Sequence, residues 1–458
     1  VAGLDLGTTY VKAVCVDLDP TADRPVQIVD VRRTPTPATA EELVAAALSL
    51  LREVSRAPGA GGAVAAVGVA SMAETGVPLD VHDRPLTPLL TWDARRPASR
   101  LLDGLDAADL FTRTGVRLSP KVPLATWAWL SEHHRDVHSR MRRWAGAADL
   151  VAHALTGRVV TDHTLAGRTG AHLLDEGRWA EDLLGLVGLR PEQLPEVALP
   201  DDVAGQADGV PVVVAGHDHQ VGAHACGVRA PGATANSLGT TEVVLRVLDG
   251  APDPSRVHAA GMSLVRTVGG RERALIAGNG AAGAAYAAWT AEHPESRDLP
   301  LGVTGLLVLP YLRGRQCPDP DPDATMRVVG DLDRATPGEL TKAVLEGLCL
   351  QTRWMYDEQR RLDPGPADGP VVLFGGPGAR NRDWTRVKAE VLPHPLRLVD
   401  QDEPVAVGAA IVAAERARLL APGSVLLPAT PVAGHRDDPY AQTYEEFVHH
   451  ARRGERSR

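Results

Sequence analysis

Cysteine is scarce in this chain: Cys15, Cys226, Cys317 and Cys349 stand far apart among 458 residues, with no CxxC pair. That spacing excludes a disulfide framework and gives no zinc template, so reduced thiols are expected. Aromatic residues make up 4%, with three Phe against eight Trp. The abundance of Ala, Gly, Arg and Pro reads as a GC-rich coding bias rather than a structural signal. No apolar run reaches the roughly 18 residues that a membrane-crossing helix requires. The first residues read as a strand and not as a charged segment followed by an apolar one, so no signal peptide is expected. Positive charge is also short: 48 Lys and Arg against 58 Asp and Glu leave −10. That balance argues against a nucleic-acid surface and favours a cytoplasmic protein. The phosphate loop GxxxxGK followed by Ser or Thr is missing too, which removes nucleotide binding of that type.

What remains is an ordinary globular composition, 44% hydrophobic and 23% charged. The length suggests two domains of roughly 200 residues each. One phrase occurs twice: Leu6-Gly7-Thr8-Thr9 and Leu238-Gly239-Thr240-Thr241, each flanked by apolar runs. Glycine lets backbone N–H groups come close to an anion, and the threonines add hydroxyl donors. Such a turn suits a polyphosphate. A single DLGTT is explained equally well as a capped hairpin; a second copy at the start of the other half points to two related lobes gripping one ligand. Asp5, two residues before the first turn, is placed to hold Mg²⁺ against the β- and γ-phosphates, directly or through water. Its counterpart is Ser237, so one copy alone would carry the metal. The chemistry implied is phosphoryl transfer.

Along the chain, Val1 to Asp17 reads as a hairpin, Pro25 to Arg33 as a third strand, Ala38 to Arg56 as a helix and Val64 to Ser71 as a buried strand. That order describes an α/β lobe. Residues 98–190 read as a mostly helical insertion anchored by Trp127, Trp129 and Leu130. Val210 to Ala215 is a further strand, ending in Gly216-His217-Asp218-His219. The second lobe follows, with a strand at Ala274 to Ala277, a long helix from about Thr336 to Leu362, and a strand from Val371 to Phe374. A polar tail closes the chain, with a short helix near Tyr444 and a frayed basic end.

Asp218 stands where a strand gives way to a helix. A plain N-cap accounts for an Asp there. Between two phosphate turns it is also the natural general base for a substrate hydroxyl. His217, His219 and His224 match no zinc spacing, so no metal cluster is expected of them. In FGGPGARNRDW, residues 374–384, the glycines allow close backbone approach to a flat or anionic group. Gly278 to Gly283 matches GxGxxG, but no regular βαβ unit follows, and the candidate acids Glu292 and Asp298 lie in a Pro-bearing loop, which disfavours a dinucleotide fold.

Together these segments resemble the FGGY carbohydrate kinases, nearly end to end. GLDLGTTYVKAVCVD looks like the family's first phosphate motif, and VGVASMAETGVPLDVHDRPLTPLLTWDARR like its substrate-lining region. LTGRVVTDHTLAGRT, LPYLRGRQCPDPDPDA and ATPGELTKAVLEG match further family stretches. LFGGPGARNRDWTRVKAEVL with EPVAVGAAIVAA looks like its adenosine motif. The resemblance implies two ribonuclease H-like, actin-like ATPase lobes of α/β class, residues 1–229 and 230–458, with a cleft between them. It implies ATP and Mg²⁺ as cofactors, with Asp5 and Asp218 about the metal. Gly7, Thr8, Thr9 and Lys12 would line the phosphates, met by Gly239 and Thr240. Gly376, Gly378 and Asn381 would lie against the adenosine. Asp218 would be the base, and Glu74, Thr75, Trp92, Asp93 and His219 would line the sugar.

Two departures bear on the substrate. Ala73 stands where glycerol kinases carry an arginine before the Glu-Thr pair, and the Met-His pair of xylulokinases is replaced by Glu74-Thr75. Arg315-Gln316-Cys317 replaces the usual Glu-Arg-Thr. A ketopentose such as xylulose, or a related sugar, is the first expectation for the phosphoryl acceptor. The alternatives are glycerol or another short polyol, a nonsugar hydroxyl compound, and a noncatalytic actin-like nucleotide switch. The expected partner is a small molecule, with no membrane and no nucleic acid; dimers are common among similar proteins, so a homodimer stays open.

Overall fold

The first LGTT hairpin organises one half of the chain. The computed structural model describes residues 1–59, 64–293, 299–312, 314–330, 332–366, 369–434 and 437–453. Asp298 and the basic C-terminal end lie outside them. Strand β1 (Ala2–Leu6) pairs antiparallel with β2 (Tyr10–Leu18), setting Asp5 opposite Lys12. β3 (Val26–Pro35) continues the meander, and α1 (Ala40–Ser55) follows. β4 (Val67–Ser71) returns parallel to β1, then β5 (Gly205–Ala207) and β6 (Val210–His217) complete the sheet in the order β3-β2-β1-β4-β6-β5.

Thr39 caps α1 by accepting the Glu42 N–H at 3.3 Å, and Glu41 and Glu42 occupy the first turn, where the helix dipole favours them. The apolar stripe Leu43, Ala47, Leu50, Leu51 and Val54 packs with Leu4, Leu6, Val11 and Ala13 in one core. Each such Leu or Val contributes about 1.5–3 kcal/mol by leaving water. Gly3, between those inward residues, points the opposite way. A Cβ there would stand 1.9 Å from the Ala406 carbonyl oxygen, and one on Gly68 1.9 Å from that of Ala409. Glycine at both positions lets the helix Pro404–Arg416 press its backbone onto β1 and β4.

By contacts the chain divides into two units. The first comprises Val1–Arg229, Leu264–Arg273 and Glu403–Leu427; the second comprises Ala230–Ser263, Ala274–Asp402 and Pro428–Arg458. Two segments that chain order alone would give to the second lobe, including EPVAVGAAIVAA, therefore pack with the first. In the 98–190 region, helices such as Ala107–Thr114 and Pro123–His133 surround Trp127, Leu130, Trp144 and Trp179, whereas α2 (Ala147–Thr156) buries Ala147, Leu150 and Val151 in the core shared by α1 and the first sheet. Trp129, expected as an anchor, is only half-buried, with Arg96 over its ring at 5.7 Å. The short helix α3 (Asp218–Ala225) follows β6 directly.

The second unit repeats the first unit's opening. β7 (Thr234–Leu238) and β8 (Glu242–Val247) form the second LGTT hairpin, and β9 (Arg273–Asn279) pairs antiparallel with β8. α4 (Ala282–Glu292) and α5 (Pro337–Leu362) come next in the chain. β10 (Val371–Gly375) then runs parallel to β7, as β4 runs parallel to β1. α5 starts at a capping box in which Thr336 and Glu339 each bind the other's backbone N–H, with Pro337 at the first helical position. β11 (Leu396–Val399) and β12 (Ala429–Val432) extend the sheet beyond β10. The tail differs from the short polar helix expected. It is a helix over Ala441–Arg453 that buries Phe447, and Tyr440 just before it donates its hydroxyl to Glu346 at 2.8 Å. Among the described residues no helix is long and apolar enough to cross a membrane.

Candidate active site

Asp218 opens α3 with about a fifth of its side chain exposed. Its Oδ1 accepts the His219 backbone N–H at 2.6 Å and lies 3.2 Å from His217 Nε2 and 3.8 Å from His219 Nε2. Burial pushes the His217 ring down to about 3, opposed by the Asp218 charge and reinforced by His219 and Arg168. His217 is therefore a neutral imidazole at pH 7. The three ligating atoms of His217, Asp218 and His219 lie within 4.8 Å of one another, a cluster that spacing rules did not anticipate. His224 stands apart, 2.8 Å from Glu415.

Asp5 belongs to the same neighbourhood. Burial raises its carboxyl to about 6; Lys12 opposes the rise, and the negative charges of Asp218 and Glu403 add to it. Lys12 lies 3.3 Å from Asp5 and 2.8 Å from Glu403, so the ammonium expected at the phosphates is held between two carboxylates. In the turn, Gly7 N–H donates to the Tyr10 carbonyl at 3.1 Å, and Thr36 donates its hydroxyl to the Gly7 carbonyl at 2.7 Å. Thr8 and Thr9 are exposed. The Trp92 indole N–H donates to Thr8 Oγ1 at 3.0 Å, and its backbone N–H to Thr75 Oγ1 at 3.2 Å. Residues expected on the phosphates and on the sugar are thus tied to each other. Asp93 sits exposed at the next turn, its charge felt by Arg96.

Glu74 has a left-handed backbone, φ 65°, which for a residue with a side chain costs on the order of 1 kcal/mol. Its carboxylate receives Arg168 Nη2 at 2.7 Å, both side chains being largely buried. Arg168 was not singled out from the sequence, since it lies 94 positions from its partner. It brings a guanidinium to Glu74, in the loop expected to line the sugar, although Ala73 cannot. Arg168→Met is expected to leave a buried carboxylate unpaired, at about 1–3 kcal/mol. In steady-state kinetics that becomes a rise of roughly ten- to a hundredfold in acceptor KM with the nucleotide KM unchanged. Equal losses in both would remove Arg168 from acceptor binding.

A second missed residue fixes the turn that carries Asp218. Asp162, fully buried, accepts from Arg416 at 2.9 Å and from the Thr164 N–H at 2.8 Å, and lies 3.3 Å from His163. Thr164 Oγ1 in turn accepts the His217 N–H at 2.9 Å. Burial opposes ionisation of Asp162, yet His163 and Arg416 hold its carboxyl well below the usual range. The Thr-Asp stretch at residues 161–162 thus positions the β6–α3 junction.

In the second unit, Gly239 and Thr240 turn the β7–β8 hairpin, Gly239 N–H donating to the Thr241 carbonyl at 2.9 Å. A Cβ on Gly283 would lie 2.1 Å from the Gly239 oxygen, and the Ala284 N–H donates to the Thr240 carbonyl at 3.2 Å. The GxGxxG sequence therefore seats the α4 N-terminus on the threonine turn. Gly376 and Gly378 follow the end of β10, where a Cβ on Gly378 would meet the Leu238 side chain at 2.9 Å. Asn381 accepts the Trp384 N–H at 3.0 Å as the cap of α6 (Arg382–Val391), and its amide nitrogen lies 3.5 Å from the Tyr286 hydroxyl. Behind the hairpin, the carboxylate of Glu242 is buried with Lys388 and with Thr352, whose hydroxyl donates to it at 2.8 Å.

With the hairpins, Asp218 and the glycine turns located, comparison with known proteins assigns the class. Family models for the FGGY family of carbohydrate kinases match residues 1–225 (N-terminal domain) and 234–417 (C-terminal domain). The chain belongs to this family. It is a carbohydrate kinase, a phosphotransferase with an alcohol group as acceptor, and kinases of this family use ATP and a small-molecule sugar. It is 30% identical over 363 residues to a xylulose kinase of Streptomyces rubiginosus, covering 76% of this chain and 74% of that one. It is 30% identical over 447 residues to a glycerol kinase of Trichlorobacter lovleyi, covering 90% and 89%. A crystal structure described as a xyloylose kinase from Brucella ovis shares the fold, with a TM-score of 0.86 at 21% identity over 99% of this chain and 98% of that one.

Proposed function

We propose that this carbohydrate kinase transfers the γ-phosphate of ATP to a hydroxyl of a ketopentose such as xylulose or a close relative, with Asp218 as general base. The observation that carries the reading is the placement of Asp218: partly exposed at a strand-to-helix turn, beside a neutral His217, and close enough to Asp5 for the two charges to interact. Asp218 accepts the acceptor hydroxyl's proton as that oxygen bonds to the γ-phosphorus and the bond to the β-phosphate oxygen breaks. Little proton transfer is needed before the transition state, because positioning dominates phosphoryl transfer. Glu74, held by Arg168, and Trp92, held by Thr8 and Thr75, would orient the sugar, with His219 beside the base. The turns at Gly7–Thr9 and Gly239–Thr240 would offer donors to the phosphates, and Gly376, Gly378 and Asn381 would meet the adenosine.

The Asp5 region fits a cation: burial raises the acid to about 6 against the opposing Lys12, and the charges of Asp218 and Glu403 add to the rise, so a positive ion would relieve the site. Asp5 and Asp218 would hold Mg²⁺, which when bound would offset charge on the β- and γ-phosphates. The 30% identity to a xylulose kinase favours a ketopentose, while equal identity to a glycerol kinase keeps short polyols in the comparison set. ADP release should be measured across pentuloses, hexuloses, tetritols and glycerol. The expected result is the highest kcat/KM with a pentulose. A higher value with glycerol or a tetritol would overturn the substrate class and leave the base assignment standing.

A further inference from the structure

We propose that His217, Asp218 and His219 form a binding site for a transition-metal ion of the Zn²⁺ class, sharing Asp218 with the Mg²⁺ of catalysis but differing from it in its two imidazole ligands, and that its occupation shuts down the acceptor site. The three residues are consecutive, yet the change from strand to helix turns their ligating atoms inward to within 4.8 Å of one another. A tetrahedral ion with bonds of about 2.0–2.1 Å holds neighbouring ligand atoms about 3.3–3.4 Å apart. His217 Nε2 and Asp218 Oδ1 stand 3.2 Å apart, close to that spacing, and His219 Nε2 is 3.8 Å from the same oxygen. Closing the set to that spacing takes side-chain movement alone, with the backbone left in place. The imidazoles meet edge to face, with centroids 5.3 Å apart and planes at 84°, so neither ring stacks over the other.

The backbone beneath the set is fixed before any ion arrives. Thr164 holds the His217 N–H at 2.9 Å, and Thr164 is itself held by Asp162. Two nitrogens and one oxygen suit Zn²⁺ or Co²⁺, whereas Mg²⁺ selects oxygen ligands and keeps its waters. Three protein ligands leave a fourth position for water or a sugar hydroxyl, so the site is open rather than closed. An ion there engages the carboxylate that would otherwise receive the acceptor's proton. The inhibitory half of the proposal rests on Asp218 as base; the binding half rests on geometry alone.

Two readouts separate these halves. The full chain, without nucleotide, is titrated with Co²⁺ and followed by its visible d–d absorption, and with Zn²⁺ by calorimetry in excess Mg²⁺. The expected result is one ion per chain, with His219→Gln and His217→Ala each weakening binding by at least about tenfold. His219→Gln is the variant more easily tolerated, because His219 is partly exposed; circular dichroism checks both. Absence of a Co²⁺ band and of Zn²⁺ heat in the wild type overturns the proposal, as does unchanged binding in both variants. Equimolar Zn²⁺ is further expected to suppress acceptor phosphorylation, with recovery on adding a chelator. Full turnover by a chain with one Zn²⁺ bound would overturn the inhibitory half and with it the role of Asp218.

Discussion

Asp218→Asn is expected to lower kcat by about 10²–10⁴-fold while ATP binding stays within error of wild type, measured by ADP release and by nucleotide titration. Asn keeps the size of Asp and can still accept the His219 N–H, so the β6–α3 turn should persist. What it loses is the ability to take a proton, and the anion favoured at a helix N-terminus, worth about 0.3–1 kcal/mol. That structural cost is too small to unfold the chain, so a large kinetic loss reports chemistry. Turnover within a few-fold of wild type would mean that another group, or water, accepts the proton.

The second large effect is thermodynamic. Asp162→Asn is expected to destabilise the chain by about 3–5 kcal/mol in urea unfolding, because it leaves Arg416 buried opposite a neutral amide. The pH dependence has a defined sign. Asp162 is depressed in the folded state, so its contribution is present above the unfolded carboxylate range near pH ~4 and fades as pH falls below it. His163 is shifted the other way: burial lowers it, but Asp162 outweighs burial and raises it. Its contribution is complete below its unfolded value, about 6.5, and is lost as pH rises through the folded value. The gap between wild type and variant should therefore be widest between about pH 4 and 6.5 and narrow on either side. A gap that does not change with pH would show that the network is held by shape and not by charge.

The sequence made the hairpins legible because alternation of period two runs into a glycine turn at both LGTT copies, and nothing else places buried strands that close together. α5 was readable end to end, since its capping box and apolar spacing agree on the same start. Pairings over long separations were not readable. Arg168 meets Glu74 across 94 residues, and Asp162 meets Arg416 across 254, where no local pattern applies. The helix Pro404–Arg416 joins the first unit because Gly3 and Gly68 give its backbone room, a fact visible only with both strands in place. The His217–Asp218–His219 set escaped because zinc spacing rules assume a helix or a knuckle. A strand-to-helix junction gathers consecutive side chains instead, and the run His-Asp-His at the end of an apolar strand was the signal available. The docked tail helix was hidden by its polar composition; its contacts combine the buried Phe447 and Ala451 with polar side chains such as Tyr444, under Arg353, and Arg452, on Asp319.

The central claim is that phosphorus leaves ATP for a sugar oxygen and not for water. ³¹P NMR of a reaction containing ATP, Mg²⁺ and a pentulose measures this directly. A phosphomonoester resonance growing in step with ADP, absent without the sugar, is the predicted result; orthophosphate growing at the same rate with or without sugar would contradict it.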